Sequence, residues 1–171
     1  MDAAGNDAIK AAVLIPPRAG RPPARGTWTD RDLRALQRDP VAQAFRTRTG
    51  AVLTVVANHL KSEGSCPAQD GPDSGIQDGQ GRWNATRVAQ AQALAGLVRD
   101  TVVPGAGDRD VLVVGDLNPY AREDPVVALC EEGHTDMIRT FAGTRAYSCS
   151  STTDGGAVSI TPRSRAPCGG R

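Results

Sequence analysis

Two short polar segments contain the residue types best suited to catalysis. The first is 58–62 (Asn-His-Leu-Lys-Ser), after the apolar run 51–57, and the second is 115–118 (Gly-Asp-Leu-Asn), after the run 111–114. Short runs rich in Val and Leu and bounded by polar turn residues predict buried strands. Catalytic groups often lie where strands end and loops begin. In this chain, one strand end carries an imidazole, and another carries a carboxylate with a carboxamide.

These groups are suited to metal-assisted phosphoester chemistry. A phosphodiester is an anion, so its hydrolysis needs charge neutralisation and an activated water, and a divalent metal held by carboxylates supplies much of both. Mg²⁺ is bound through one or two carboxylates and keeps several waters. Asp116 is the candidate metal ligand and orients or deprotonates the attacking water. Asn118 hydrogen-bonds a phosphate oxygen, and His59 donates to the phosphate in the transition state.

Each of these residues also has a purely structural interpretation. A single His after a strand is more often a hydrogen-bonded structural group, and Gly-Asp-x-Asn is a common turn composition because Asp and Asn bond their own backbone. Lys61 either meets a substrate phosphate or is an ordinary exposed lysine. Arg87 lies in the first turn of a predicted helix, where the dipole does not favour a cation. It therefore serves either a phosphate or a loop carboxylate such as Asp78.

The elements that position these motifs alternate in type. After the strand 51–57, the spacing of apolar residues predicts a helix over 85–99 that Asn84 can cap, and then the strand 111–114. A second helix is capped by Asp124, has Pro125 at its first position and ends at Gly133. The order strand, helix, strand, helix predicts an α/β fold. Strands are also predicted at 8–15 and 41–46 and a short helix at 30–38, whereas the proline-rich segment 16–26 excludes regular structure.

Composition narrows the function classes. The 171 residues are 39% hydrophobic but only 4% aromatic, so a single domain has a core built mainly from Val, Leu and Ala. The net charge of +1 creates no global field for nucleic acid, so binding would need local cations such as Lys61, Arg82 and Arg87.

No apolar run approaches the roughly 20 residues of a membrane span, and no signal peptide is evident. Neither a membrane nor a protein partner is indicated. Cys130 fits a helical apolar pattern and is interpreted as a small core residue.

Taken together, the motifs resemble those of the endonuclease/exonuclease/phosphatase superfamily, and most closely those of bacterial extracellular nucleases of the ExeM/NucH type. The resemblance covers about 39–147, within a partial domain 1–147. It rests on Asn58-His59-Leu60-Lys61-Ser62, Asp78-Gly79-Gln80-Gly81, Trp83-Asn84, Arg87, Gln90-Ala91, Gly115-Asp116-Leu117-Asn118, Tyr120 and Glu123-Asp124-Pro125.

The resemblance implies a fold, an activity and a set of site residues. The fold is part of a four-layer α/β/β/α sandwich of the DNase I-like type. The activity is cleavage of DNA that depends on Mg²⁺, or on Mn²⁺ or Ca²⁺, in a secreted or extracellular protein. The implied catalytic residues are His59, Asp116 and Asn118, with Asp116 also at the metal. Asn58 joins Lys61 and Arg87 as a substrate-binding residue.

The chain also departs from that pattern. A complete member carries a metal-binding Glu on an earlier strand and a late Asp-His pair, and neither is found in this sequence. The family's loop disulfide is doubtful here, because Arg82 occupies the neighbourhood where Cys66 would find its partner. From these departures we expect a partial domain with one sheet face exposed, an isolated chain without Mg²⁺-dependent nuclease activity, and a disordered or out-of-frame tail at 148–171.

Two alternative functions stay open. One keeps the superfamily but changes the substrate to a phosphomonoester or a phospholipid, as in its phosphatase and sphingomyelinase members. The other is a non-catalytic remnant or binding module. The loop 78–81 with Trp83 and Asn84 favours the nuclease, because this pattern resembles the extracellular group. Trp83 itself is interpreted as an anchor for the loop rather than a base-stacking platform, and His134 as a surface residue.

Overall fold

The computed structural model describes Val13 and residues 39–64, 71–74 and 78–143. Several sequence predictions therefore lie outside the described residues. They are the helix 30–38, the proline-rich segment 16–26, the tail from 148 and, apart from Val13, the strand 8–15. Cys66, Cys149 and Cys168 lie outside them as well.

The described residues form a mixed α/β structure, as the sequence predicts. In chain order the elements are β1 (Val41–Arg46), β2 (Val52–His59), α1 (Asn84–Leu97), a π-helical turn (Val98–Val102), α2 (Val103–Ala106), β3 (Val111–Asp116), α3 (Asp124–Glu131) and α4 (Met137–Ala142). The three strands form one sheet in the order β1-β2-β3. Strand β1 pairs antiparallel with β2, and β2 pairs parallel with β3. None of the described helices has the length and apolar character that crossing a membrane requires.

Both motif-bearing strands extend further than the sequence predicts. Strand β2 includes Asn58 and His59, and β3 includes Gly115 and Asp116, so the motif residues are the last residues of the strands rather than the first residues of the loops. The predicted start of α3 also shifts, because Glu123 is the capping residue and Asp124 is already helical. These shifts fix the side-chain directions of His59 and Asp116 by the strand pleat.

The chain divides into two compact units. Among the described residues, the first unit consists of Val13, 39–59 and 93–116. The second consists of 60–64, 71–74, 78–92 and 117–143. The first unit therefore contains the sheet. Its strands alternate in burial: Ala42, Ala44, Thr54, Val56 and Asn58 are buried on one face.

The opposite face of the sheet is apolar and only partly covered. The register aligns Val55 with Leu112 and Ala57 with Val114, so these side chains share a face with His59 and Asp116. Leu53, Leu112 and Val114 on this face are 36–39% exposed. The candidate catalytic residues thus lie at one end of a partly exposed apolar sheet face.

The second unit is held by polar contacts between its loops and helices. The carboxylate of Asp73 accepts hydrogen bonds from the backbone N–H and the hydroxyl of Thr86, at 2.8 and 2.6 Å. The amide of Asn84 donates to Asp124 at 2.9 Å, and the backbone N–H of Asp124 donates to the side chain of Gln80 at 2.9 Å. These bonds tie the segment before α1 to the first turn of α1 and the start of α3.

Candidate functional site

The first unit brings together His59 and Asp116, two of the predicted catalytic residues. They are register partners, one residue beyond the Asn58–Gly115 pair, at the carboxyl ends of parallel strands β2 and β3. The His59 Nε2 atom lies 3.8 Å from Asp116 Oδ2, and the two side chains are 22% and 43% exposed. That separation is longer than a hydrogen bond but within the range of an ion pair. The structure thus places an accessible imidazole and an accessible carboxylate side by side.

This pair is suited to acid–base chemistry on an anionic substrate. A carboxylate can accept a proton from a water molecule, and a protonated imidazole can donate to an anionic oxygen. Because both groups project from the ends of strands rather than from flexible loops, their spacing is fixed by the sheet.

Asn58 has a contact within the sheet. Its side chain is buried, and its Nδ2 atom donates to the backbone carbonyl of Val114 at 2.8 Å. Its Oδ1 atom is also buried and has no hydrogen-bond partner within the part of the chain that the structure describes. The structure therefore gives Asn58 a link from β2 to β3 directly beside the His59–Asp116 pair, and its contact with substrate stays a prediction.

The fold requires a glycine at position 115, which was not predicted from the sequence. Its φ is +127°, and a Cβ atom at this position would overlap the carbonyl oxygen of Asn58. Only glycine meets both conditions without strain, because it has no Cβ. The available signal was a glycine inside a strand, which often marks a close approach of two backbones.

The second unit contains Asn118, which has a left-handed backbone with φ of +63°. Asn is one of the few residues with a side chain that adopts this conformation readily. Its Nδ2 atom donates to the backbone carbonyl of Leu60 at 2.9 Å. Asn118 thus links the loop after β3 to the residue that follows β2, and its contact with a phosphate oxygen stays a prediction.

Lys61 lies against the ring of Trp83. Its ammonium is 4.7 Å from the ring centroid, which is within the range of a cation–π interaction. Its backbone N–H donates to the side-chain carbonyl of Gln90 at 2.7 Å, and Gln90 is buried. Neither Trp83 nor Gln90 was predicted to act on Lys61, because residues 22 and 29 positions apart become neighbours only in the folded chain.

Arg87 is fully buried among carboxylates. Its Nη1 atom lies 3.1 Å from Glu63 and its Nη2 atom 3.1 Å from Glu123, and the Arg87 side chain is 0% exposed. The observed contact is therefore the structural alternative, an ion pair to a carboxylate. The partners are Glu63 and Glu123 rather than Asp78. Burial raises the pKa of Glu123, while the charge of Arg87 acts to lower it. Binding of substrate by Arg87 stays a prediction, and its guanidinium already has two anionic partners.

Two other predictions change. His134 is half-buried rather than a surface residue, and burial lowers the pKa of its imidazole, partly offset by the charge of Glu132. Cys130 is disulfide-bonded rather than a simple core residue. Sequence spacing alone does not reveal a bridge between distant cysteines.

The described residues do not by themselves fit a Mg²⁺ site. Among them there is no group of three or more His, Cys, Asp or Glu side chains that could hold a metal ion. At the ends of β2 and β3 the donors are one carboxylate, Asp116, and one imidazole, His59, whereas Mg²⁺ prefers an octahedral shell of oxygen. The chemistry that His59 and Asp116 can perform therefore depends on their own side chains.

Comparison of the chain with models of protein families, with curated proteins and with solved structures found no match.

Proposed function

We propose that this chain acts on the phosphodiester backbone of DNA, as a relative of the extracellular nucleases of the endonuclease/exonuclease/phosphatase superfamily. The proposal includes the two-sheet DNase I-like sandwich for the complete fold. The observation that supports it best is the pairing of His59 with Asp116 at the ends of two parallel strands. The resemblance predicted these two residues as catalytic, and they are 57 positions apart in the sequence.

In the proposed reaction, Asp116 accepts a proton from water while the water oxygen attacks phosphorus. His59, in its protonated form, donates a hydrogen bond to a non-bridging phosphate oxygen and so stabilises the charge that develops there. The bond from phosphorus to the leaving sugar oxygen breaks, and that oxygen takes a proton from solvent. A divalent ion, if bound, supplies further charge neutralisation. No step above depends on it, because the described residues do not complete its site.

A second candidate is binding of DNA without hydrolysis. It is supported by the metal ligands that the described residues offer, since no three or more of their His, Cys, Asp or Glu side chains form a group that could hold a metal ion. In this case the cations and amides near the motifs hold the substrate, and no bond is broken. The two candidates differ in one measurable property, the cleavage of bound DNA.

Plasmid relaxation and oligonucleotide binding by the purified chain test these candidates. The first candidate predicts that the chain nicks plasmid with Mg²⁺ and that either His59→Ala or Asp116→Asn removes the nicking. The missing Glu and Asp-His pair predict the opposite result, an isolated chain without this activity. Binding without nicking in both the wild type and the variants supports the second candidate. Hydrolysis of p-nitrophenyl phosphate without plasmid nicking would instead assign the chain to the phosphomonoesterases. A chain that neither binds nor cleaves DNA overturns the proposal.

A matched control separates activity from contamination by host nucleases. Arg48→Met removes an exposed cation from the turn between β1 and β2, at the end of β2 opposite to His59. Nicking that belongs to the chain survives this change and disappears with His59→Ala. Equal nicking by all three preparations would show that the activity comes from a contaminant.

A further inference from the structure

Asn58 is a polar residue on the buried face of the sheet, directly before the candidate catalytic His59. It is 5% exposed, and its Nδ2 atom donates to the backbone carbonyl of Val114 at 2.8 Å. Both residues belong to the same compact unit as His59 and Asp116. The amide thus joins the last part of β2 to the last part of β3, one register position before the His59–Asp116 pair.

Stability does not account for an amide at position 58. The Oδ1 atom of Asn58 is buried and accepts no hydrogen bond from any described residue. A buried acceptor without a partner lowers the free energy of unfolding, whereas an apolar side chain of the same shape can be neutral or stabilising. A residue type that departs from the expected pattern in this way is typical of a functional site. The other buried residues of this face are small or β-branched, namely Ala42, Ala44, Thr54 and Val56.

The contact falls where the backbone of β3 is least regular. Gly115, the register partner of Asn58, has a φ of +127°, so the chain leaves the extended conformation immediately before Asp116. Glycine is conformationally permissive, and the peptide that precedes it therefore needs a contact beyond the strand pleat to hold it. The carbonyl that Asn58 binds belongs to that peptide, between Val114 and Gly115. Asn58 thus fixes the backbone unit from which the direction of Asp116 is set.

We propose that Asn58 is a positioning residue for the His59–Asp116 pair. Its amide holds the Val114 carbonyl against β2 and so keeps the imidazole and the carboxylate side by side, with 3.8 Å between Nε2 and Oδ2. Successive side chains of a strand point to opposite faces, so Asn58 acts from the face opposite to the pair and touches no reacting atom. This inference rests on the proposed function, because it assigns the residue that orients the two catalytic groups.

Nuclear Overhauser contacts in the intact chain test the position of the pair without any need for activity. The sequence has two histidines, so a His134→Gln variant assigns the imidazole signals of His59. We expect a contact between the ring protons of His59 and the β-protons of Asp116 in the wild type. Asn58→Leu removes the amide and keeps a similar shape, and it should abolish this contact. The contact between the register partners Val55 and Leu112, nearer the other end of the strands, should remain.

Thr54→Val is the matched control for this change. Thr54 lies on the same buried face of β2 and is 0% exposed, and its hydroxyl is likewise buried with no partner in the described part of the chain. It pairs with Val111 at the start of β3, four residues before Asn58. Thr54→Val should keep the His59–Asp116 contact. Loss of the contact in both variants would mean that the pair responds to any change on the buried face, and it would overturn the specific role of Asn58.

Asn58→Ala provides a second variant in case leucine does not fit at this position. It removes the amide without adding volume, and it should also abolish the His59–Asp116 contact. Retention of that contact in either variant overturns the positioning role. If both variants also lose the contact between Val55 and Leu112, Asn58 supports the sheet as a whole and the positioning role is wrong.

Activity separates this inference from the proposed function. If the wild type nicks plasmid, Asn58→Leu should lower the nicking rate by roughly 10²-fold, the cost of a misplacement of about 1 Å, and should leave the Kd for an oligonucleotide unchanged. A rate that falls only through weaker binding would make Asn58 a substrate-binding residue instead. If the wild type neither binds nor nicks DNA, the proposed function is wrong, and the Overhauser contacts alone decide whether Asn58 positions the pair.

Discussion

His59 and Asp116 are the last residues of two adjacent parallel strands and occupy the same register position, with 3.8 Å between Nε2 and Oδ2. Residues at the same position of a parallel pair project from the same face of the sheet. The spacing of imidazole and carboxylate is thus a property of the strand register. A change in that register by one residue would move one of the two groups to the opposite face.

The first prediction concerns the charge of Asp116. In a version of the chain that has the metal-binding Glu and the late Asp-His pair restored, Asp116→Asn keeps the shape of the side chain but removes its ability to take a proton. The rate of plasmid nicking should therefore fall by at least roughly 10²-fold. The melting temperature should change little, because this side chain is 43% exposed. Nicking assays and thermal unfolding on the same preparation check both parts. A normal rate with an unchanged melting temperature would assign the role of base to another group.

The second prediction concerns the close approach of the two strands. Gly115→Ala places a Cβ against the Asn58 carbonyl at a φ of +127°, whereas Gly107→Ala meets no atom within 4 Å at a φ of +68°. Gly107→Ala should therefore show only the backbone cost, about 1 kcal/mol. Gly115→Ala should lower the free energy of unfolding further, by about 2 kcal/mol or more in total. Urea denaturation of both variants measures the difference, and equal losses would mean that the strands separate easily.

The third prediction concerns the ion pairs of the buried Arg87 side chain. Arg87→Met leaves Glu123 buried without its cation, so the free energy of unfolding at neutral pH should fall by about 3–5 kcal/mol. Arg99→Met removes a cation whose partner Asp100 is exposed to solvent, and it should have little effect. Adding Glu123→Gln to Arg87→Met should recover part of the loss. Similar stabilities for Arg87→Met and Arg99→Met in urea would contradict the structural role of Arg87.

The pH dependence of the Arg87→Met variant adds a check. The pKa of Glu123 is raised in the folded chain, chiefly by burial. The stability that a raised carboxyl pKa contributes is present below the unfolded value, about 4.5, and is lost as the pH rises through the folded value. Removal of the Arg87 charge raises that folded value further. The loss of stability caused by Arg87→Met should therefore be smaller at acid pH than at neutral pH.

The fourth prediction concerns His134. Burial lowers the pKa of its imidazole from the usual 6.5, so the unfolded chain binds a proton at a higher pH than the folded chain does. The stability associated with neutral His134 is fully present above pH 6.5. It is lost as the pH falls from 6.5 toward the lowered pKa of the imidazole in the folded chain. His134→Gln should remove this part of the pH dependence. Urea denaturation at pH 7.5 and 5.5 should show a smaller loss of stability for the variant than for the wild type. An identical loss would mean that His134 titrates normally.

Several of the elements, and the strand-end positions of His59 and Asp116, were predictable from the sequence. Short Val- and Leu-rich runs bounded by polar residues predicted β2 and β3, and the spacing of apolar residues after Asn84 predicted α1. The motif order also predicted that His59 and Asp116 lie at strand ends. These features are local, since each depends on residues within a few positions of one another.

Only the tertiary structure decided which groups became partners. The parallel pairing of β2 with β3 placed His59 beside Asp116, and the close approach at Asn58 required a glycine at 115. Arg87 pairs with the carboxylates of Glu63 and Glu123, and Lys61 lies against the ring of Trp83. The physical reason is that charge pairing, burial and ring contacts depend on distances through space between residues more than 20 positions apart. Residue type shows that an arginine needs a partner, but the fold determines whether that partner belongs to the protein or to a ligand.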